Sequence, residues 1–147
     1  MRRFLPLVLL SLFAMSFTMD GSGPAIKFEK QTHDFGKIPQ NKPASYEFVF
    51  TNTGDEPLLL THVKASCGCT TPYYPTRAIQ PGESEKIKAT YNSRSVGRFT
   101  KSITVKTNER KVDGTEGKQY SLQITGEVMS ADLEEKNDAP KSPVKQG

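Results

Sequence analysis

Through the middle of this chain apolar residues recur at every second position, in short runs cut by Gly, Pro, Asn and Asp. That period sends one row of side chains into a core and the next into water, which suits half-buried β-strands and not helices. "SYEFVFTN" puts Tyr46, Phe48 and Phe50 on one face, with Glu47 and Thr51 on the other. "EKIKATYN" sets Ile87, Ala89 and Tyr91 in phase, and "YSLQITGEV" does the same for Tyr120, Leu122 and Ile124. In "RFTKSITVKTN" the row of Phe99, Ile103 and Val105 is interrupted by Lys101. "AIKFE" and "LLLTHVKA" supply two more runs, and "THDFGKIPQNKP" is an extended edge segment bent by its glycine and prolines. Between the runs lie "TGDEP", "QPGE" and "KVDGTEG". Their Gly residues accept positive φ and their Pro residues preset the exit. The expected fold is all-β, with about seven strands in two sheets packed face to face. Eight Phe and five Tyr supply much of the core between them.

The ends differ from the middle. "MRRFLPLVLLSLFAMSF" couples two arginines to an apolar run from Phe4 to Phe17. That is the build of a secretory signal peptide, and residues 1–18 are expected to be one. The competing reading, an uncleaved anchor, runs against the shortness of the segment, since a bilayer span takes roughly 20 residues. Residues 25–129 form the expected domain. From residue 130 to 147 the chain is polar, mixed in charge and nearly free of apolar residues, and is expected to be disordered. The net charge is +4; without Arg2 and Arg3, 18 basic residues face 16 acidic ones and it falls to +2. A balance this even gives no broad basic face for nucleic acid. Export implies a compartment where disulfides persist.

The chain has two cysteines, Cys67 and Cys69, one glycine apart in "KASCGCT". If the strand from Leu58 ran on unbroken, both would share a face with Val63 and Ala65, and His62 would point away. Four readings follow. A disulfide needs Cα atoms within about 4.4–6.8 Å, and a kink at Gly68 would shorten the extended spacing. As a staple it is poor, because a three-residue loop gives only about 1.6 kcal/mol in the chain-entropy account. As a labile dithiol–disulfide pair it makes chemical sense. Two thiolates on one face would also suit Cu(I), a soft ion, whereas a closed zinc site lacks ligands beyond His33 and His62. The fourth reading is a pair of buried thiols acting as small apolar groups.

The segments "HDFGKI" (33–38), "FTNTGDEPL" (50–58), "SCGCT" (66–70), "IQPGE" (79–83), "GRFTKSITVKTN" (97–108) and "ITGEV" (124–128) resemble, in order and spacing, a bacterial family of exported domains of unknown function, DUF1573, common in Bacteroidetes. The resemblance implies an immunoglobulin-like β-sandwich related to the ASH, MSP and PapD-like domains, with no catalytic activity. It carries over only Cys67 and Cys69 as candidate functional positions.

No nucleophile elbow, metalloprotease helix or phosphate loop occurs in the chain, so an enzyme is not expected. The function expected is that of an exported binding or structural module of the cell envelope, periplasmic, with the cell surface and the exterior as alternatives. Its partner is an unidentified envelope protein or surface component. Tyr73 and Tyr74, in the loop "CGCTTPYYP", are the candidate contact residues. Strand addition at a sheet edge is the other route. The alternative function is thiol redox or copper handling by Cys67 and Cys69.

Overall fold

The computed structural model describes residues 23–111, 114–115 and 117–130. The expected export signal, the tail beyond Ser130 and part of the "KVDGTEG" turn lie outside the described residues. Eight strands follow in order: β1 (Ile26–Phe28), β2 (Thr32–Pro39), β3 (Ala44–Asn52), β4 (Leu60–Ala65), β5 (Thr70–Tyr73), β6 (Ser84–Tyr91), β7 (Gly97–Thr107) and β8 (Gln119–Met129). They form two four-stranded sheets, one in the order β1-β3-β6-β5 and the other β2-β8-β7-β4. The chain changes sheet at each of the first four connections, so its early strands become the edges of both sheets apart from β3.

The alternating rows meet between the sheets. Phe48, Phe50, Ile87 and Ala89 from the first sheet face Ile103, Val105, Leu122 and Ile124 from the second, and all eight are fully buried. Each side chain of this size contributes about 1.5–3 kcal/mol on leaving water, less for alanine. Leu58 and Ile79, joined by an isolated bridge, close one side of this core.

Three departures from simple alternation shape the sandwich. The eighth strand, β5, falls in the stretch that reads as a loop in sequence. Pro72 hides it there, but an edge strand tolerates proline, and β5 pairs with β6 from Thr70↔Tyr91 to Tyr73↔Lys88. The run from Leu58 is not unbroken: a bulge between Leu60 and His62 changes its phase. Leu58, Leu60 and Val63 therefore point inward, Leu59 is exposed, and the strand stops at Ala65, before the cysteines. Finally, β2 runs parallel to β8, with a register shift between Asp34 and Lys37. Gly36 takes φ 64° there, and its N–H donates to Asp34 Oδ1 at 2.9 Å.

Gly126 stands opposite Phe99 in the β7–β8 ladder, on the inward row. A Cβ at this position would lie 2.8 Å from Phe99 Cζ and 3.0 Å from the Gly36 carbonyl oxygen. The Phe99 ring has little room to retreat, because it stacks on Tyr91 at 3.9 Å. Gly126→Ala is expected to cost about 1–3 kcal/mol, the usual toll of overpacking. It should appear as a lower urea midpoint at unchanged slope.

Candidate functional site

Cys67 and Cys69 sit where the chain leaves β4, the edge of one sheet, and enters β5, the edge of the other. Ser66 donates its N–H to Ser102 O at 2.8 Å, which pins the end of β4 to β7. Thr70 N–H donates to Cys67 O at 3.4 Å, and Asn92 N–H to Cys69 O at 3.0 Å, which turns the chain onto β6. Within this corner the two sulfurs form a disulfide across a Cα–Cα distance of 5.3 Å. Both cysteines are half-buried, and Cys69 packs against the core. Thr70 Oγ1 lies 3.9 Å from Cys67 Sγ. Gly68 keeps a negative φ, and a Cβ there would meet nothing within 4 Å, so no steric demand requires glycine between the cysteines. In the disulfide the sulfurs carry no thiolate for Cu(I).

Neither histidine joins them. His62 lies on β4 and is exposed. His33 is on β2, at the opposite edge of the same sheet. Among the described residues no three of His, Cys, Asp and Glu come together as a metal group would require. His33 instead stacks on Tyr46, with ring centres 3.6 Å apart and 9° between planes, and meets the edge of Phe35. Burial lowers its pKa below the ordinary 6.5; Asp34 works against this and Lys30 adds to it. The unfolded chain therefore takes up the proton first. The stability contributed by the neutral ring is complete above 6.5 and is lost as pH falls through the lower folded value. Urea midpoints on either side of 6.5 should show stability declining on the acid side, and His33→Gln should remove that part of the decline.

The two tyrosines part company. Tyr73 belongs to the edge strand β5, not to a loop, and its side chain is 78% exposed. Tyr74, one residue on, turns back and packs against the core. Beside Tyr73 the outer faces of β3, β6 and β5, walled by residues 74–77, form a groove of about 930 Å³. Glu47, Lys88 and Tyr73 lie in one row across the three strands. Its wall is held by Arg77, whose guanidinium bonds Glu83 at 2.6 Å and also reaches Glu85. The Arg77 hydrogen bond, helped by the Gln80 N–H, draws Glu83 down to about 2. Lys86 bonds Glu47 across the floor at 2.8 Å. The groove thus offers an aromatic ring, a proline and charges that largely cancel one another.

Two buried polar residues escaped the sequence reading. Asn52, at the end of β3, is fully buried with both halves of its carboxamide bonded. Glu109, just past β7, is 4% exposed; it accepts hydroxyl bonds from Thr107 at 2.8 Å and Tyr120 at 3.1 Å, with Lys118 at 3.9 Å. Only "TNTG" hinted at the first of these, as a turn; nothing marked the second.

The profile of the family described as "Protein of unknown function (DUF1573)" matches residues 26–128, from the first residue of β1 to the last residue but one of β8. The chain belongs to the DUF1573 family. No curated protein is similar to it in sequence. Among solved structures, the DUF1573 domain is similar to the ASH/PapD-like domain 7 of human CEP192, with TM-score 0.62 at 11% identity, over 86% of this chain and 99% of that one. It is also similar to the Vibrio cholerae VesB protease, with TM-score 0.56 at 14% identity, over 71% of this chain but 31% of the protease. For the YadV chaperone the TM-score is 0.51 at 14% identity, over 80% of this chain and 54% of the chaperone. At such identities the likeness is one of fold: DUF1573 here is an all-β, immunoglobulin-like sandwich of the ASH and PapD type.

Proposed function

We propose that the domain is a non-catalytic binding module, exported to the bacterial cell envelope, that holds a protein partner on its Tyr73 face. The observation that carries this reading is a large aromatic side chain left 78% exposed on an edge strand, beside a groove of about 930 Å³. Exposed aromatics at the centre of a patch are the usual anchors of protein interfaces. The fold likeness to YadV, named as a chaperone, supports a role in holding another protein. The apolar run Phe4–Phe17 behind two arginines supports export. Capture from an envelope extract with the full chain as bait tests the reading. A defined partner retained by the natural sequence and lost with Tyr73→Ala supports it. No partner above background, or equal capture by both baits, overturns it. Intact mass of the protein from its native envelope, before and after alkylation, checks the export step and the sulfur state together.

The disulfide at the β4–β5 corner favours a second reading, a thiol–disulfide role for Cys67 and Cys69. So small a ring adds little stability, about 1.6 kcal/mol before strain. Thiol counting on the folded protein, with and without a mild reductant, decides it. Two thiols released under reductant and reoxidised on its removal support a redox pair. Sulfurs that stay inaccessible under reductant remove the reading.

A further inference from the structure

We propose that the outer face of the second sheet, at its β4 end, binds an anionic sugar chain. The surface is built by alternate residues of β4 and β7. His62 stands opposite Lys106, and Lys64 opposite Thr104. Ser66 follows on the same side, joined to Ser102 through both its backbone N–H and its hydroxyl. Together they line an open depression of about 420 Å³. Two ammonium groups and an imidazole thus share neighbouring rungs, and among the described residues no carboxylate lines the depression. Lys64 and Lys106 are diagonal neighbours on these rungs, where two ammonium charges repel each other. The first sheet handles its cations differently, setting Arg77 against Glu83 and Lys86 against Glu47. At the β4 end, Lys64 and Lys106 concentrate positive charge that no carboxylate among the described lining residues meets.

The rest of the surface indicates the class of ligand. Beyond the basic end the same face continues as hydroxyls and an amide, with Ser102 opposite Gln123 and Thr104 opposite Ser121. Such a strip matches the hydroxyls of a sugar chain, while the lysines would take its anionic groups in charge-assisted bonds. A protein partner is disfavoured here, because Ala65 is the one apolar residue among the described residues of the lining and interface cores need larger anchors. Nucleic acid is disfavoured too. Among the described residues that line it, no Phe, Tyr or Trp is present to stack on a base. This surface is independent of the Tyr73 face, which lies on the other sheet.

The test is an NMR titration of the nitrogen-labelled full chain with dextran sulfate, with neutral dextran, and with sulfate ion alone. The expected result is that dextran sulfate shifts amides of β4 and β7 around Lys64 and Lys106. The double variant Lys64→Gln, Lys106→Gln should bind it about tenfold more weakly while keeping the rest of its spectrum, and added salt should weaken binding by the natural sequence. Both substitutions are exposed, so the fold survives them. The proposal fails if dextran sulfate does not bind, if its shifts centre on Lys86 and Lys88, or if the double variant binds equally well. Equal binding of neutral dextran removes the anionic requirement and overturns it. Equal binding of sulfate alone removes the sugar requirement and overturns it as well. Tyr73→Ala should leave this titration unchanged, so the outcome stands apart from that of partner capture.

Discussion

Asn52→Ala is expected to lower the stability of the domain by about 3 kcal/mol. The side chain is fully buried at the end of β3. Its Oδ1 accepts the N–H of Gly54 at 3.0 Å and of Ala25 at 3.4 Å. Its Nδ2 donates to Glu56 O at 2.8 Å and Ile79 O at 2.9 Å. One carboxamide therefore joins the approach to β1, the turn after β3 and the bridge at Ile79. Alanine removes all four bonds and leaves a cavity. Ile79 O keeps the N–H of Leu58 at 2.9 Å, so the loss falls mainly on the two amides that gave to Oδ1. A buried donor without an acceptor costs about 1–3 kcal/mol. Asn52→Asp separates the two halves of the role. Its carboxylate still accepts from both amides but faces two carbonyl oxygens, so burial and repulsion raise its pKa. Stability of that variant should then rise as pH falls through the raised value, because the folded state binds the proton more tightly. Urea denaturation of the three proteins checks both expectations. Loss of under about 1 kcal/mol in Asn52→Ala would show that the network is not what holds this corner.

Gly54→Ala is expected to be at least as damaging, about 3–5 kcal/mol. Its backbone angles are not the reason, since Gly54 does not take positive φ. The obstacle is space. A Cβ would stand 2.1 Å from Gly23 O and 2.6 Å from Ala25 N, both of them backbone atoms. No side-chain rotation relieves such an overlap, so the segment leading into β1 must move away. That breaks the bonds from Thr53 N–H to Ala25 O at 2.8 Å and from Asp55 N–H to Gly23 O at 3.2 Å. Hydrogen exchange should show the outcome locally. Protection in β1 (Ile26–Phe28) should vanish, while β7 and β8 keep theirs relative to global unfolding. Retained protection in β1 would mean that the chain accommodates the methyl without losing the strand.

These two residues also show how far the sequence can be read. "TNTG" announces a turn, because Asn and Gly favour one. It does not announce that Asn52 points inward, or that another stretch of backbone crosses within van der Waals range of Gly54. Both facts depend on residues 23–25 and 79, distant in sequence. Lys101 is a similar case. It breaks an apolar row, yet the row holds because Phe99, Ile103 and Val105 are buried around it. The candidate site was legible in part. The close pairing of Cys67 and Cys69 was open to a disulfide from sequence spacing. Their setting was not, because β4 stops at Ala65 and leaves both cysteines in the corner beyond it. Tyr73 drew notice as an aromatic among turn residues. Its place on an edge strand required knowing that β5 pairs with β6. The surface at His62, Lys64 and Lys106 had no sequence signal, since Lys106 lies on a different strand from the other two.

Local chemistry determined the strand content of this protein. Period-two alternation is a property of neighbouring residues, and burying both apolar rows at once leaves two stacked sheets as the natural arrangement. The family followed from the same string of letters. Which strands become edges, which way β2 runs and where the faces lie were decided only in three dimensions. Those choices rest on contacts between residues far apart in the chain, and alternation along a strand carries no record of its partner.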